Sequence, residues 1–425
     1  MDFTNYLVPG KTGLLIGIGG VSMSPLAEVL HDAGLDIRGS DMAESSNTLT
    51  LREHGIPIHI GHSADNVTDD ISFVIRTAAV HDDNPEVHEA HRRGIPVFER
   101  TQAWGALMRG YQNALCISGT HGKTTTTSMC THIMMAAEKD PTVMIGGTLP
   151  LLKACHRVGK GNTIIMESCE YYNSFLALNP TIAVVLNIEA DHLDFFKDLE
   201  DIKHSFRCFA ERVPAETGTV IANYDDANTM DALRGIARKV ITFGLNAKAD
   251  VYAQNIVHRG SVSEFDIYHR GNYFARVTLH VPGIHNVRNA LAATAAAIVL
   301  GVSPNAVKYG LAGFEGAGRR FDFKGKFQGA DLYDDYAHHP SELRALLDAV
   351  DTLNYQRTIV VFQPHTYSRT AKLFNDFVEQ LRRPTIVYLA EIYAAREKNT
   401  IGISSADLAA QIPGAKFYPT FAEIE

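Results

Sequence analysis

The chain has 425 residues and a formal net charge of −9 at pH 7. This length exceeds what one hydrophobic core usually supports, so two or three domains are expected, and the acidic balance argues against nucleic acid as a partner. No apolar run could span a bilayer, the N-terminus lacks a signal-peptide pattern, and the five cysteines form no C-x-x-C pair. These features predict a cytoplasmic protein with reduced thiols and no membrane partner.

The first segment, residues 1–107, alternates predicted strands and helices, which indicates a Rossmann-like parallel sheet. The apolar strand Thr12–Ile16 runs into a glycine-rich turn, Gly17-Ile-Gly-Gly20, just before a predicted helix. An acidic residue, Asp41, follows roughly 20 positions later, as in dinucleotide-binding folds. Ser22 stands where the third glycine of that pattern would be. The resemblance to a dinucleotide-binding turn is therefore incomplete.

Two interpretations of this turn remain open. The glycines could hold a diphosphate at the helix N-terminus, with the acidic residue facing a ribose, or they could only permit tight strand–helix packing. The candidate ligand contacts share a position at the ends of predicted strands, where open α/β sheets bind ligands. They are Gly17, Gly19, Gly20, Ser22, Asp41 and Thr77.

The central segment, residues 108–314, begins with a predicted phosphate-binding loop. An apolar strand, Ala114–Ser118, is followed by Gly119-Thr-His-Gly-Lys-Thr124 and a helix without glycine or proline. Such a turn aims backbone N–H groups at one point, where the helix dipole favours an anion. Lys123 would add a positive charge for the phosphates, and the hydroxyl of Thr124 could bind Mg²⁺. Ile117 replaces the first glycine of the common pattern, so an ordinary turn with a surface lysine is the alternative.

Metal candidates lie after the next two strands. Glu167 ends the strand Thr163–Met166, and His192 lies in the polar run 187–194. A carboxylate beside a phosphate loop is how NTP-binding proteins hold Mg²⁺, which imidazole suits less well. A histidine after a strand is more often structural, and the acidic run could be a solvated turn. Together with Thr124, these two residues form the predicted metal site.

Residues 240–281 alternate apolar and polar side chains between polar turns, which predicts a small antiparallel sheet. An alanine-rich helix follows, with His285, Asn286 and Asn289 in its first turn. An asparagine amide has both the donor and the acceptor that a purine edge needs, so the two asparagines could recognise a purine. Capping of the helix N-terminus is the alternative.

The last segment, residues 315–425, opens with Gly316-Ala-Gly-Arg-Arg-Phe321, which could clamp phosphate or form a solvated linker. Three predicted strands follow at Ala330–Tyr333, Thr358–Phe362 and Thr385–Leu389, each with polar residues at its end. These ends would meet at the ligand-facing edge of a parallel sheet. The whole chain is thus predicted to be an α/β protein of three domains.

Six motifs resemble, in their order, those of the Mur ligase family. They are Gly119-Thr-x-Gly-Lys-Thr124, Asn187-Ile-x-x-Asp-His192, His285-Asn-x-x-Asn-Ala290, Gly318-Arg-Arg-Phe321, Asp335-Tyr-Ala-His-His-Pro340 and Gln363-Pro-His365. The resemblance covers nearly the whole chain. It implies a UDP-sugar-binding Rossmann-like domain, a central ATPase-like domain and a Rossmann-like C-terminal domain.

The resemblance also implies a reaction and its ligands. ATP would phosphorylate the lactyl carboxylate of UDP-N-acetylmuramate, the amine of L-alanine would attack the acyl phosphate, and phosphate would leave as the amide forms. The residues implied to bind ATP or act on it are Gly119, Thr120, His121, Gly122, Lys123, Thr124, Thr125, Asn286, Asn289, Arg320 and Asp335. The residues implied to be catalytic are Lys123, Glu167, His192 and Arg320, and the implied metal is Mg²⁺. His338, His365 and Arg369 would line the amino-acid side.

Three features depart from the family pattern. The run Glu167-Ser-Cys-Glu-Tyr-Tyr-Asn173 lacks two acidic positions, and Thr366 stands where many members have an arginine. Arg369 is therefore the predicted partner of the alanine carboxylate. The family usually continues beyond the position of Glu425, so a shortened C-terminal domain is expected.

Three alternative functions remain open at this point. A sister ligase could add a recycled peptide to the same sugar nucleotide, a nicotinamide-dependent oxidoreductase could use the N-terminal glycines, and a regulator could bind nucleotide without turnover. The oxidoreductase leaves Lys123 unexplained. A monomer or a homodimer is expected.

Overall fold

A computed structural model describes residues 2–77, 79–395 and 397–424, and the architecture below refers to these residues. They form three successive α/β domains, as the sequence predicts. Short 3-10 helices lie at Phe3–Tyr6, Ala64–Asn66, Tyr171–Ala177 and Phe421–Glu423. None of the helices in these ranges is both long enough and apolar enough to cross a membrane.

The N-terminal domain is built on a parallel sheet. Its strands are β1 (Thr12–Ile16), β2 (Asp36–Asp41), β3 (Ile58–Ile60), β4 (Ile71–Arg76) and β5 (Val97–Glu99). Its helices are α1 (Ser24–Asp32), α2 (Ser46–Glu53), α3 (Pro85–Arg92) and α4 (Arg100–Met108). The strand order β3-β2-β1-β4-β5 is the expected Rossmann-like arrangement. All residues of β1 are buried, which explains its continuous apolar sequence.

The central domain contains a large mixed sheet. Its strands are β6 (Asn113–Ser118), β7 (Thr142–Leu149), β8 (Ala154–Arg157), β9 (Thr163–Glu167), β10 (Ile182–Val185), β11 (Thr219–Asn223), β12 (Lys239–Gly244), β13 (Val251–Arg259), β14 (Val262–His269) and β15 (Asn272–Leu279). Its helices are α5 (Lys123–Ala136), α6 (Leu199–Glu211), α7 (Ala227–Ala232), α8 (Ile284–Val299) and α9 (Pro304–Ala312). The strand order is β15-β14-β13-β12-β11-β10-β6-β9-β7-β8.

The antiparallel strands predicted for residues 240–281 are present, but they do not stand apart as a separate small sheet. Strands β13, β14 and β15 pair antiparallel, whereas β12 pairs in parallel with β11 and joins them to the main sheet. Alternating polarity indicates that one face of a strand is buried, but it does not identify which strand pairs with it. The pairing partner of β12 was therefore not readable from its sequence.

The C-terminal domain has a parallel sheet of order β18-β19-β20 and a separate hairpin of β16 and β17. The strands are β16 (Asp322–Phe327), β17 (Ala330–Asp334), β18 (Ile359–Phe362), β19 (Ile386–Ala390) and β20 (Lys416–Tyr418). The helices are α10 (Pro340–Asp351), α11 (Tyr367–Lys372), α12 (Phe374–Leu381) and α13 (Ser405–Gln411).

One strand prediction in this domain was wrong. The segment 330–333 was expected in the parallel sheet, but β17 pairs antiparallel with β16. The two residues between them, Gln328 and Gly329, both have positive φ angles, of 49° and 86°. That backbone matches the tight turn that joins antiparallel neighbours, so β17 pairs with the strand just before it. The polar residues after β17 consequently reach the site from a hairpin.

The N-terminal and central domains share one hydrophobic cluster. Phe3, Trp104 and Phe175 belong to it, and the ring centroids of Phe175 and Phe209 are 4.5 Å apart. Helix α4 crosses the junction, where the carbonyl of Gly105 accepts a hydrogen bond of 2.7 Å from Asn179. A Cβ added at Gly105 would lie 2.0 Å from the carbonyl oxygen of Ala177. The junction therefore needs glycine at this position.

We expect Gly105→Ala to destabilise the protein by about 1–3 kcal/mol, because the added methyl group meets backbone that cannot rotate away. Differential scanning calorimetry would measure the change as a lower melting temperature. Gly147→Ala is the matched control, since its added Cβ would meet its nearest neighbours at an ordinary 3.5 Å. Equal melting temperatures for Gly105→Ala and the wild type would contradict the packing described for this junction.

Candidate active site

The predicted loop between β6 and α5 has the glycine-dependent geometry of a phosphate-binding turn. Gly122 immediately precedes α5 and has a φ of +84°, and Gly119 has a φ of +143°. An added Cβ would lie 2.7 Å from Oδ1 of Asn289 at the first position and 2.8 Å from Cβ of Leu186 at the second. Both the backbone conformation and the close neighbours thus require glycine.

Asn187 holds this loop against the end of β10. Its backbone carbonyl accepts a hydrogen bond of 3.0 Å from the N–H of Thr120, and its side chain accepts one of 2.8 Å from the N–H of His121. The Asn187 amide also donates to the carbonyl of His121 at 3.1 Å. Sequence reasoning placed Asn187 in a motif but gave it no role. Its role here is to hold the loop backbone in shape.

Lys123 lies at the start of α5 and is paired with a carboxylate that sequence reasoning missed. Its Nζ is 3.0 Å from Oε2 of Glu170, whose side chain is 3% exposed, and it donates to the carbonyl of Gly119 at 2.6 Å. Burial is the largest single effect and acts to lower the pKa of Lys123, but the charges and the hydrogen bond of its neighbours, above all Glu170, together outweigh it and the pKa is raised. Lys123 is therefore a fixed cation. The sequence feature that could have identified Glu170 is its position three residues after Glu167.

Two of the three predicted metal ligands meet directly. Oγ1 of Thr124 donates a hydrogen bond of 3.1 Å to Oε1 of Glu167, and the other oxygen of Glu167 accepts one of 2.6 Å from the N–H of Gly146. His192 lies beside Glu170 instead, with Nε2 3.9 Å from Oε1, and its ring stacks on Tyr171. A hydroxyl and a carboxylate side by side are oxygen donors that suit Mg²⁺.

A cavity of about 620 Å³ opens in front of the loop. Its lining includes most of the predicted nucleotide contacts, from both the central and the C-terminal domain. They are His121, Gly122, Thr124, Thr125, Asn286, Asn289, Arg320 and Asp335. Asn289 donates a hydrogen bond of 3.2 Å to Asn286, which itself donates to the carbonyl of Pro282 at 2.7 Å. The two asparagines thus form one polar wall of the cavity.

The C-terminal domain contacts the loop through Glu342 and Ser341 of α10. Oε1 of Glu342 is 3.2 Å from Nδ1 of His121, and Ser341 donates a hydrogen bond of 2.5 Å to Glu189. Asp335, on the segment that leads to α10, accepts hydrogen bonds from the N–H groups of Phe321 and Ala337, both at 2.7 Å. Burial raises the pKa of the Asp335 carboxyl. Sequence reasoning missed Glu189 and Glu342 as contacts, because residues so far apart in the chain meet only after folding.

The predicted amino-acid side contains an arginine and two histidines. Arg369 donates hydrogen bonds of 2.8 and 3.1 Å to Oδ1 of Asp191, a pair whose side chains are 10% and 9% exposed. The rings of His338 and His365 are 5.7 Å apart, and Arg369 lies 3.2 Å from Nδ1 of His365. Burial lowers the pKa of His338, and burial followed by the charge of Arg369 lowers the pKa of His365 to about 4. Both imidazoles are therefore neutral at pH 7.

The N-terminal candidates gather around the turn after β1. Asp41 was expected to face a ribose, but its Oδ2 accepts a hydrogen bond of 2.8 Å from the N–H of Gly19. Gly17 has a φ of +77°, and an added Cβ would be 2.7 Å from Cγ2 of Thr77. The hydroxyl of Ser22 accepts a hydrogen bond from Arg100. Gly20 accepts one of 2.9 Å from the N–H of Ser24, where α1 begins. The turn is thus both tightly packed and held by polar contacts.

Three family models cover most of the chain. They are the Mur ligase family catalytic domain over residues 15–112, the Mur ligase middle domain over residues 117–297, and the Mur ligase glutamate ligase domain over residues 319–424. The chain belongs to the Mur ligase family. A UDP-N-acetylmuramate–L-alanine ligase from Agathobacter rectalis is 46% identical over 415 residues, which are 96% of this chain and 90% of that protein.

Solved structures of Mur ligases are also similar. The UDP-N-acetylmuramate–alanine ligase of Thermotoga maritima has a TM-score of 0.79 and 29% identity, covering 97% of this chain and 91% of that one. The UDP-N-acetylmuramate:L-alanyl-γ-D-glutamyl-meso-diaminopimelate ligase of Neisseria meningitides has a TM-score of 0.65 and 26% identity, covering 72% and 99%. The family resemblance predicted from the six motifs is therefore confirmed.

The interdomain contact of His121 predicts a pH dependence. Burial acts to lower the pKa of this histidine, but hydrogen bonds to Glu189 and Glu342 outweigh it and raise the pKa from 6.5 to about 9. Because the folded protein binds this proton more tightly than the unfolded chain, the resulting stabilisation is complete below pH 6.5. It is lost as the pH rises through about 9.

We therefore expect the melting temperature of the wild type to exceed that of His121→Gln most at pH 6.5 and least above pH 9. Differential scanning fluorimetry over this pH range would measure the difference. The comparison with the variant removes the contribution of other titrating groups. A difference that stayed constant, or that grew with pH, would contradict the pairing of His121 with the two carboxylates.

Proposed function

We propose that this Mur ligase joins L-alanine to the lactyl carboxylate of UDP-N-acetylmuramate at the expense of ATP, in the synthesis of peptidoglycan precursors. The observation that carries the proposal is the cavity in front of the phosphate-binding loop, which residues of the C-terminal domain also line. An ATP-dependent ligase needs such a site, because the nucleotide must be held in line with a second substrate. The 46% identity to a UDP-N-acetylmuramate–L-alanine ligase supports the choice of substrates.

ATP fits the cavity by the chemistry of its walls. The N-terminus of α5, with Gly119, Thr120, His121, Gly122, Lys123, Thr124 and Thr125, would hold the phosphates. The amides of Asn286 and Asn289 would face adenine, and Arg320 and Asp335 would bind the nucleotide from the C-terminal domain. The fixed positive charge of Lys123 would stabilise the negative charge that develops as the terminal phosphoryl group is transferred.

Mg²⁺ fits the oxygen pair formed by Thr124 and Glu167, which lie within hydrogen-bond distance of each other. His192, which lies beside Glu170, is the third residue of the proposed set. When bound, Mg²⁺ would neutralise phosphate charge. The N–H of Gly146 orients the Glu167 carboxylate, so its position does not depend on the metal.

The substrates would approach from two sides. UDP-N-acetylmuramate would be held by Gly17, Gly19, Gly20, Ser22, Asp41 and Thr77. Asp41 would contribute indirectly, because it accepts a hydrogen bond from the N–H of Gly19. Arg369 would bind the carboxylate of L-alanine. His338 and His365 would line the amino-acid side next to Arg369. Attack on the acyl phosphate forms the amide bond and releases inorganic phosphate.

Release of phosphate from ATP, measured with purified protein across a panel of amino acids and peptides, tests the proposal. We expect release only when UDP-N-acetylmuramate and L-alanine are both present. A requirement for a tripeptide in place of L-alanine would instead identify the chain as the sister ligase. Release that is indifferent to both substrates, or the absence of release with either amine donor, would refute a ligase function.

We propose domain boundaries at residues 1–107, 108–314 and 315–425, a cytoplasmic location, and a monomer or homodimer. Limited proteolysis with mass spectrometry would locate the boundaries. Analytical ultracentrifugation would give the oligomeric state.

A further inference from the structure

The hairpin formed by β7 and β8 lies at one edge of the large central sheet, next to β9. Strand β9 ends at Glu167, the carboxylate of the proposed Mg²⁺ site. The N–H of Gly146 in β7 donates a hydrogen bond of 2.6 Å to Glu167, and a Cβ added at Gly146 would collide with that carboxylate. The backbone of the hairpin therefore fixes the direction of the Glu167 side chain.

The same hairpin reaches the N-terminal domain through its second strand. Nε2 of His156 in β8 is 3.2 Å from Oε2 of Glu28 on α1, and the two side chains are 16% and 13% exposed. Burial acts to lower the pKa of His156, but hydrogen bonds and charge interactions with Cys155 and Glu28 outweigh it and raise the pKa from 6.5 to about 9. His156 is therefore a cation at pH 7, and it forms an ion pair between the two domains.

Two further contacts link the hairpin to the surroundings of the proposed substrates. The thiol of Cys155 lies 3.8 Å from the carbonyl oxygen of Val21, in the glycine turn proposed for the UDP-sugar. The carbonyl of Thr148 in β7 accepts a hydrogen bond of 2.8 Å from the N–H of Gly318, two residues before Arg320. One hairpin thus contacts the proposed UDP-sugar turn, the proposed metal carboxylate and the segment that carries Arg320 into the cavity.

The hydrophobic junction around Gly105 of α4 already joins the N-terminal and central domains, but a single junction permits rotation about it. A second attachment, made through α1, restricts that rotation. We propose that the β7–β8 hairpin sets the position of the N-terminal domain relative to the proposed metal carboxylate, and that His156 is the positioning residue that attaches the hairpin to Glu28. This inference rests on the proposed function, because the groups to be aligned are the UDP-sugar and ATP. Misplacing bound reactants by about 1 Å can cost roughly 100-fold in rate.

Steady-state kinetics of His156→Gln and Glu28→Gln at pH 7, in the full-length protein, test this attachment. We expect each variant to lower kcat by about tenfold, because the ion pair is one of several contacts that align the reactants. The KM values should change little, since neither residue is among the proposed substrate contacts. The double variant should be no slower than either single variant, because both changes remove the same pair. His156→Lys keeps a positive charge beside Glu28 and should recover most of the rate.

His54→Gln is the matched control. His54 belongs to the N-terminal domain, and its Nδ1 is 3.8 Å from Oε1 of the same Glu28. The change therefore removes a contact to that carboxylate without releasing the hairpin, and kcat should stay at the wild-type value. Thermal melts of each variant would verify that it is folded at the assay temperature.

Hydrogen–deuterium exchange with mass spectrometry gives a readout that does not depend on turnover. We expect faster exchange over residues 142–157 in His156→Gln and Glu28→Gln, but not in His156→Lys or His54→Gln. If the wild type lacked ligase turnover, the proposed function would fail, and the exchange rates alone would decide whether the pair holds the hairpin. Unchanged exchange in His156→Gln, or an unchanged kcat in that variant beside an active wild type, would overturn the proposal.

Discussion

Replacing Lys123 with alanine is expected to lower the rate of ATP-dependent ligation by about 10³-fold, because the transferring phosphoryl group loses a fixed positive charge. The loss should appear mainly in kcat, since this charge matters most as negative charge develops on the phosphoryl group. Phosphate release under saturating substrates would measure it. If Lys123→Ala kept the wild-type rate, Lys123 would not be the residue that stabilises the transferring phosphoryl group.

The same substitution should also reduce stability, because it leaves Glu170 buried without its partner. Breaking one side of a buried ion pair costs about 3–5 kcal/mol. The double variant Lys123→Met/Glu170→Gln separates the two effects, since it replaces the pair by two neutral side chains of similar size. We expect the double variant to regain most of the melting temperature and none of the activity. Recovery of activity together with stability would show that Lys123 acts only through folding.

Arg369→Ala is expected to raise the KM for L-alanine by roughly 10- to 100-fold, the loss that follows from removing a hydrogen bond to a charged group. Arg369→Lys should recover only part of the affinity, because an ammonium group cannot form the two parallel bonds of a guanidinium. Steady-state kinetics with each substrate varied in turn would measure the change. The KM values for ATP and UDP-N-acetylmuramate should change much less.

Asp191→Asn is the control for the structural role of Arg369. In the structure Arg369 binds Asp191 of the central domain, so its loss could also weaken the contact between domains. Asp191→Asn weakens this contact but leaves the arginine in place. If Asp191→Asn raised the KM for L-alanine as much as Arg369→Ala does, Arg369 would be an interdomain tie and not the residue that binds alanine.

Local patterns determined much of this molecule. The glycine turn between β6 and α5, the helix that begins at Lys123 and the alternation of strands and helices in the first domain were predicted correctly. Each of these features depends on residues that are close together in the chain. A glycine in a turn permits a positive φ angle, and a strand buried on both faces has a continuous run of apolar side chains. The ordered motifs were sufficient to identify the family.

Only the tertiary structure decided which distant residues meet. The pairs Lys123–Glu170, His121–Glu342 and Arg369–Asp191 join segments that are 47 to 221 positions apart. Strand β17 likewise paired with its hairpin neighbour and not with the parallel sheet. A charged residue carries no local signal of its partner, because an ion pair depends on distance in the folded molecule and on removal from water. The candidate site residues could thus be proposed one by one from the sequence, whereas the ion pairs between them were decided by folding.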